Sequence, residues 1–245
     1  MISSFFSKYH FNLNEIDSTN NFLIKLNKLK KFKYPVVATA DFQNMGKGRN
    51  KNSWHSEKGK NLLMSILFNH KVELNDQFKL NAIISLSIAE LVSIYTDNKV
   101  YVKWPNDIIV CNNKIAGFIV ENTVRKNIIK SSVIGIGVNI NQKKFQKFNP
   151  DATSLSILNN KEYEIDEVKK RLLELIEINY KNFDPKFLIQ YNNILFRKNK
   201  YTKFVTGENI FRAKIQSVQY DGSVIMKDET GKSKKFKVND IKYLL

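Results

Sequence analysis

The chain of 245 residues has few of the residues that build disulfide frameworks and metal centres. It contains one cysteine, Cys111, and three histidines. A single cysteine excludes an internal disulfide and a cysteine-rich zinc site, and the histidines form no ligand pattern such as HExxH, so the metal ligands are unknown. Cys111 follows the apolar run 108–110, which predicts a packed thiol.

Long hydrophobic runs are also missing. No window approaches about eighteen uninterrupted apolar residues, the length that a membrane-spanning helix needs. Residues 1–14 contain no long apolar segment of the kind found in signal peptides. We therefore expect a soluble, cytoplasmic protein without a membrane partner.

Acidic residues are scarce beside basic ones. The chain has 40 Lys and Arg against 23 Asp and Glu, a formal net charge of +17. Such a charge attracts polyanions, namely nucleotides, nucleic acid or acidic protein surfaces. One interpretation is nucleic-acid binding, and the other is a lysine-rich surface without that role. The lysines are scattered, with only short clusters such as 28–33, and this favours the second interpretation.

Hydrophobic periodicity predicts an α+β (α/β-like) fold, in which helices pack on a mixed β-sheet. Ser18 and Thr19 are N-cap residue types that precede the first helical stripe. The pair Asn112-Asn113 predicts a hairpin turn. We expect further helices over 78–95, 166–180 and 187–196, and strands over 34–40, 61–68, 100–104, 107–110, 115–121 and 133–139.

The hydrophobic pattern of the sequence changes after Arg197. Short alternating segments follow, separated by Thr206-Gly207, Asp221-Gly222 and Thr230-Gly231. This spacing is typical of a small antiparallel barrel. We predict two domains, 1–198 and 199–245.

The segment 43–54 is polar, contains glycine and carries several cations. Gly46 and Gly48 free the backbone to approach a ligand, while Lys47, Arg49 and Lys51 supply positive charge. A phosphate or carboxylate is the ligand that such a loop favours. The segment lacks the order of a P-loop, and a solvated basic loop or a nucleic-acid-binding loop would have the same composition.

Two further segments combine polar residues with strand ends. In the first, Lys103-Trp104-Pro105-Asn106-Asp107, the strand stops at Pro105 and the hairpin that follows brings Lys114 back beside it. Lys103, Asp107 and Lys114 would then face one pocket, unless they form a surface ion-pair network. In the second, 135–139, Gly135 and Gly137 leave room for a planar ring, or mark a bulged core strand.

Together and in this order, these segments resemble the catalytic domain of biotin–protein ligases. KWPND (103–107) with the downstream Lys114-x-x-Gly117 is the most diagnostic part. The run 18–20, the loop through Trp54, the GIGVNIN segment and the run 152–155 also match. The resemblance spans about 14–245 and implies the biotin-ligase catalytic fold, which is similar to class II synthetases, followed by an SH3-like C-terminal domain.

The resemblance implies an activity in two half-reactions. ATP, with Mg²⁺, would activate biotin to biotinyl-5′-AMP, and biotin would pass to a lysine of the biotin carboxyl carrier protein domain of a carboxylase. No tightly bound prosthetic group is implied, and the protein would be a monomer or homodimer. About seventeen residues precede Ser18, too few for the helix-turn-helix domain of family members that repress transcription, so no specific DNA binding is expected.

Two alternatives belong to other classes. A lipoate–protein ligase would have a related catalytic domain, but its Arg-Arg-x-Ser-Gly-Gly-Gly loop is missing here. A non-enzymatic nucleic-acid-binding protein would need aromatic and basic residues interleaved on one face of the barrel. Phe204, Phe211, Tyr220 and Phe236 mostly alternate with polar residues, as core positions would.

The resemblance also implies residue roles. As catalytic residues, Lys114 would contact the carboxylate and the α-phosphate, Arg49 would retain the adenylate, and Asp107 would orient the incoming amine or assist Mg²⁺. Lys47, Asn50, Lys51 and Asn52 stand where the family often has Arg or Gly, which leaves open how firmly the loop holds its intermediate. We expect the loop 46–53 to be mobile when empty. The implied biotin-binding residues are Ser18, Thr19, Asn20, Gln43, Gly46, Lys47, Gly48, Arg49 and Lys114. The implied nucleotide-binding residues are Arg49, Trp54, Asn106, Lys114, Gly117 and Asn139.

Overall fold

The computed structural model describes residues 5–6, 8–147 and 150–244, except for the side chain of Lys51, so the predicted contribution of that cation lies outside the described part. A seven-stranded sheet forms the centre, in the order β1-β2-β3-β7-β6-β5-β4. Strands β1 and β2 run parallel and the other neighbours antiparallel, so the sheet is mixed. The strands are β1 (His10–Ile16), β2 (Val36–Gln43), β3 (Leu62–Glu73), β4 (Val100–Lys103), β5 (Asp107–Val110), β6 (Asn113–Arg125) and β7 (Ile128–Val138).

Helices cover both faces of this sheet. Helix α1 (Thr19–Leu29) packs on β2, β3 and β7, where it buries Leu23 against a small cluster that includes Leu67 and Val133. Helices α2 (Gln77–Tyr95), α4 (Ile165–Lys181) and α5 (Phe187–Asn193) belong to the opposite face, and a short helix α3 spans Leu155–Asn159. Side chains alternate between these faces along each strand.

Helix α2 is apolar on most of its surface. In the described part of the chain, the segment Leu74–Tyr95 is the one helix long and apolar enough to cross a membrane, and 61% of its apolar window is buried inside the protein. It also packs against α4, α5, β4 and β5. A helix that is hydrophobic on all sides is typical of a protein core, and that is the position of α2 here.

A second sheet follows and shares the core of the first. It contains β8 (Thr202–Thr206), β9 (Asn209–Val218), β10 (Val224–Asp228), β11 (Ser233–Phe236) and β12 (Lys242–Leu244), all antiparallel, in the order β11-β10-β9-β8-β12. The indole nitrogen of Trp104 donates to the Gly222 carbonyl at 2.9 Å. Phe204 and Met226 belong to the same buried cluster as Phe78 and Trp104.

The predicted mixed sheet with packed helices is confirmed, and several details differ. Strand β1 is missed because its residues 10–16 are mostly polar and it pairs at a sheet edge. The β5–β6 turn is at Cys111 and Asn112, both with positive φ, because Val110 pairs with Asn113. Cys111 is therefore exposed, and the prediction of a packed thiol is wrong. The division into 1–198 and 199–245 stays a prediction.

The junction between the two sheets yields a stability prediction at Gly222. Its φ is +81°, and an added Cβ would lie 2.8 Å from Cδ2 of the buried Phe78. We expect Gly222→Ala to lower the free energy of unfolding by about 2 to 4 kcal/mol, because backbone strain and overpacking add. Urea unfolding followed by circular dichroism measures this loss.

Gly207→Ala is the matched control. Gly207 also has a positive φ, +57°, but an added Cβ would meet nothing within 4 Å. Its cost should be limited to backbone strain, about 1 kcal/mol. If both variants lost the same free energy of unfolding, the close contact between position 222 and Phe78 would not be the cause of the loss in Gly222→Ala.

Candidate active site

A row of paired residues crosses five strands of the first sheet and forms the floor of the site. Lys103 pairs with Asp107, Asp107 with Gly117, Gly117 with Gly137, and Gly137 with Leu63. Paired residues point to the same side of a sheet, so two charged side chains lie next to two positions without side chains. The sequence therefore places charge and empty space side by side on one face.

The glycines of this face make room for other side chains of the same protein. A Cβ at Gly137 would overlap the indole of Trp54, and one at Gly135 would overlap the amide of Asn20. A Cβ at Gly117 would lie 3.0 Å from Cε of Lys114. The predicted planar ring over this strand is thus the protein's own indole, which the loop brings onto the sheet.

A chain of hydrogen bonds fills one end of the site, where α1 begins. Ser18 caps the helix through its hydroxyl, and both the backbone nitrogen and the hydroxyl of Thr19 donate to Oε1 of Gln43, at 2.7 and 2.9 Å. The Thr19 hydroxyl also lies 2.6 Å from that of Ser65, which donates to Asn20 at 2.5 Å. This end offers donors and acceptors without net charge.

Two members of this network were not among the predicted site residues. Ser65 is fully buried, and Glu121 accepts from Asn20 Nδ2 at 2.7 Å while pairing with Lys47 at 3.5 Å. The only signal for Ser65 in the sequence is a lone hydroxyl inside the otherwise apolar run 62–68. Glu121 lies four residues beyond Gly117 on β6, so its side chain points to the same face.

The charged centre of the site is a carboxylate between two ammonium groups. Asp107 is 15% exposed, and its two oxygens lie 2.7 Å from Lys114 Nζ and 3.0 Å from Lys103 Nζ. Burial alone would raise the pKa of Asp107, but the charges and hydrogen bonds of Lys114 and Lys103 outweigh it and lower that pKa to about 2. The carboxylate is therefore ionised at neutral pH and already occupied by cations.

The loop 44–54 closes over this centre. Trp54 N donates to Gly46 O at 2.9 Å, and Gly48 N donates to Asn52 O at 2.7 Å. Gly46 must be glycine, since a Cβ there would lie 2.6 Å from Trp54 O. The fold of the loop places the indole of Trp54 with its ring centroid 5.3 Å from Lys114 Nζ.

Arg49 reaches from the loop to both sheets. Its guanidinium donates to Asn106 Oδ1 at 3.3 Å, to Val238 O at 3.3 Å and to Asn239 Oδ1 at 3.1 Å. Burial lowers the pKa of Arg49, and the charge of Asp107 opposes that shift. A cation over the cavity is thus held by uncharged acceptors.

The far end of the site has an indole beside buried amides. Asn106 donates to Phe118 O at 2.6 Å, and Asn139 donates to Thr153 O at 2.9 Å, so both amides also fix the backbone around them. The indole nitrogen of Trp54 is buried and, in the described part of the chain, has no hydrogen-bond partner. This end therefore combines an aromatic face with an unused donor.

These parts enclose one cavity of about 860 Å³, within the size range of ligand and cofactor sites. All predicted site residues line it except Gly46, which lines an adjoining cavity of about 390 Å³. The sequence missed the wall from the second sheet, which consists of Ile241, Lys242 and Tyr243. No local pattern in 241–243 marks a site, because only tertiary packing brings this strand to the cavity.

Comparison with known proteins identifies the family of this chain. The model of the Biotin/lipoate A/B protein ligase family matches residues 13–139, more than half of the chain. The chain belongs to this family. The family match covers α1, α2 and the sheet from Leu13 of β1 onward, and it ends at Asn139, directly after β7.

Relatives and solved structures extend the comparison. Over 132 residues the chain is 32% identical to the bifunctional ligase/repressor BirA of Escherichia coli, covering 54% of this chain and 40% of that protein. It is 27% identical over 164 residues to a biotin–[acetyl-CoA-carboxylase] ligase of Mycobacterium tuberculosis, covering 64% and 59%. Thus it spans about half the length of the curated relatives it matches. A biotin protein ligase of Aquifex aeolicus, solved with biotin and ATP, superposes with a TM-score of 0.78 at 25% identity, covering 97% of this chain and 99% of that one.

The charged centre yields a prediction for acid unfolding. The pKa of Asp107 is lower in the folded protein than its ordinary 3.8, so its contribution to stability is present above pH 3.8 and is lost as pH falls toward 2. We expect this contribution to be on the order of 2 kcal/mol. In Asp107→Asn, the fall in the free energy of unfolding between pH 4.5 and 2 should be smaller by that amount.

Asp151→Asn, at an exposed position, is the control, and its pH dependence should match that of the wild type. Urea titrations at a series of pH values give the slopes directly. If Asp107→Asn and the wild type lose stability in parallel below pH 4.5, the two lysines do not hold the Asp107 carboxylate in the ionised state.

Proposed function

We propose that this protein is a biotin–protein ligase, which activates biotin with ATP to biotinyl-5′-AMP and transfers biotin to a lysine of a biotin carboxyl carrier protein domain. One observation carries the proposal. A single cavity combines an uncharged hydrogen-bonding end, a cluster of Lys103, Lys114 and Arg49, and an aromatic end at Trp54. Biotin and ATP together present three parts that match these regions. They are the polar ring of biotin, the reacting carboxylate and α-phosphate, and the planar adenine base.

Biotin's polar ring belongs at the start of α1. Ser18, Thr19, Asn20 and Gln43 there supply donors and acceptors, and Ser65 fixes their orientation. Buried polar groups are costly unless they are paired, so this end favours a ligand that offers hydrogen bonds in return. The biotin chain then runs beneath Gly46, Lys47 and Gly48, and its carboxylate lies near Lys114.

The first half-reaction joins two anions. A carboxylate oxygen of biotin attacks the α-phosphorus, the bond to the β-phosphate breaks, and pyrophosphate leaves with the electron pair. Lys114 turns from Asp107 to the reacting oxygens and neutralises the charge that develops there. Positioning and charge neutralisation are the main requirements, since the reaction needs no protein nucleophile.

In the second half-reaction, the Asp107 carboxylate oxygen that paired with Lys114 takes part. The acceptor amine attacks the acyl carbon, the bond to the phosphate oxygen breaks, AMP leaves with the electron pair, and the proton of the amine passes to solvent water. Once Lys114 contacts the adenylate, Oδ1 of Asp107 is available to hold the incoming amino group. The other oxygen of Asp107 lies 3.0 Å from Lys103 Nζ, and this contact favours the ionised carboxylate, so we assign Asp107 the orientation of the amine rather than proton removal.

The nucleotide occupies the aromatic end. Trp54 packs along the adenine, and Gly117, Asn106 and Asn139 flank it, while Arg49 covers the α-phosphate. Mg²⁺ enters as part of MgATP. In the described residues no group of three His, Cys, Asp or Glu side chains could hold a metal ion, and both Asp107 oxygens already contact ammonium groups.

The second sheet and the net charge bear on how the protein binds the carrier domain. We assign 199–245 as an SH3-like barrel domain, on the basis of its five short antiparallel strands. The net charge of +17 would attract an acidic carrier domain by long-range electrostatics. Cytoplasmic location and a monomeric or homodimeric state remain part of this proposal.

The alternatives fit the site less well. Lipoate's dithiolane ring has no hydrogen-bond donor or strong acceptor, so it would displace water from the polar end at Thr19 and Asn20 without offering a hydrogen bond in return. Nucleic-acid binding would need exposed aromatic residues on the second sheet. Phe204 and Phe236 are buried and Phe211 is half-buried, so of the four aromatic residues considered only Tyr220 is exposed.

The test of the function is an intact-mass measurement. The protein is incubated with MgATP and a carrier domain, together with either biotin or lipoate. We expect the carrier to gain the mass of one biotinyl group, and to gain none with lipoate or without ATP. A carrier labelled by lipoate rather than biotin would reverse the assignment, and an unlabelled carrier with no pyrophosphate release would refute it.

Lys114→Ala separates chemistry from binding. We expect pyrophosphate release to slow by about 100-fold or more, the usual loss when one group that stabilises a developing oxyanion is removed. Biotin affinity, measured by calorimetry, should change far less. Lys130→Ala, at an exposed lysine of β7, serves as the control for net charge. Pyrophosphate release by Lys114→Ala at the rate of the Lys130→Ala control would contradict the role of Lys114.

A further inference from the structure

Residues of the second sheet bind Arg49, the only arginine in the loop 44–54. Two of the three hydrogen bonds from the Arg49 guanidinium go to the β11–β12 connection, at Val238 O and Asn239 Oδ1. The third goes to Asn106, at the end of the KWPND run. Arg49 therefore bridges a loop of the first sheet to a segment about 190 residues further along the chain.

The connection that receives Arg49 is itself well fixed. Asp240 accepts from Lys237 N at 2.7 Å and donates through its backbone to Lys237 O at 3.0 Å, which closes a tight turn around 238–239. Ile241 follows, 5% exposed, in the shared core. Asn239 thus presents its amide from a rigid position, although its own side chain is exposed.

The acceptors that hold Arg49 are uncharged. In the part of the chain that the structure describes, Arg49 forms no ion pair, and Asp107 in the same cavity contacts Lys103 and Lys114 instead. Carbonyl and amide oxygens fix the direction of a guanidinium without neutralising it. Its full positive charge remains available to an anion in the cavity.

We propose that Asn239 is a positioning residue, which holds Arg49 over the cavity so that the anionic acyl-adenylate is retained until transfer. The proposal rests on the proposed function for the identity of the ligand. It assigns the second sheet a direct part in retention, through a neutral side chain that orients a cation. An aspartate at 239 would hold Arg49 as firmly but would cancel its charge.

The first test measures escape of the intermediate from the full-length protein. With biotin, MgATP and a bystander protein rich in lysine, labelled bystander reports adenylate that has left the site. For Asn239→Ala we expect the ratio of bystander to carrier labelling to rise by about three- to tenfold, the effect of losing one hydrogen bond to a charged group at a partly exposed site. Arg49→Gly sets the upper limit.

The matched control is Asn209→Ala, at an exposed asparagine of the same sheet where β9 begins. Its labelling ratio should equal that of the wild type. If Asn239→Ala leaks no more than this control while the wild type labels its carrier, the positioning role is wrong and the proposed function stands. A wild type that makes no adenylate refutes the proposed function instead.

Asn239→Asp separates position from charge. We expect this variant to leak more than the wild type as well, because an ion pair with Arg49 competes with the adenylate phosphate. A leak at the wild-type level in Asn239→Asp would overturn the argument that a neutral acceptor is required.

Hydrogen exchange of the ligand-free proteins supplies a readout that is independent of activity. In Asn239→Ala, the amides of 46–54 should exchange about threefold faster than in Asn209→Ala, since one anchor of the loop is lost. In Asn239→Asp they should exchange no faster than in the wild type. Unchanged exchange in Asn239→Ala would show that Asn239 does not position Arg49, whatever the ligand of the cavity is.

Discussion

The site depends on one largely buried carboxylate that holds two ammonium groups together. Without Asp107, Lys103 and Lys114 would repel each other across neighbouring strands. With it, they converge and leave the cluster with a net positive charge. The same ion pairs lower the pKa of Asp107 to about 2, so the arrangement persists over the physiological pH range. Electrostatic preorganisation of this kind provides a centre that receives anions without further rearrangement of the sheet.

Empty positions matter as much as charged ones. Gly117, Gly135 and Gly137 occupy neighbouring positions on β6 and β7, and each one leaves space that a side chain of this protein fills from above. Most central sheets would use those positions for apolar packing. Here the packing is shifted to the opposite face, where α2 and the second sheet share one continuous core.

The second sheet takes part in the site as well as in stability. Trp104, from the KWPND run, is tied to Gly222, while Tyr243 lines the cavity with its ring centroid 5.0 Å from Lys103 Nζ. Arg49 is anchored on the connection that leads into β12. The cavity is therefore completed by residues that the family match to 13–139 does not include.

The sequence by itself predicted the mixed sheet and the charged loop, and all the site residues predicted from it except Gly46 line the cavity. These features could be predicted because period-two patterns, glycines and motif spacing are properties of short stretches of chain. It also predicted that Asp107 and Lys114 lie close together, because they belong to the two strands of one short hairpin. Only the tertiary structure decided that Ser65 joins the polar end, that Asn239 contacts Arg49, and that Tyr243 lines the cavity. Those contacts join residues far apart in sequence, and their geometry depends on how whole sheets pack, which no local pattern encodes.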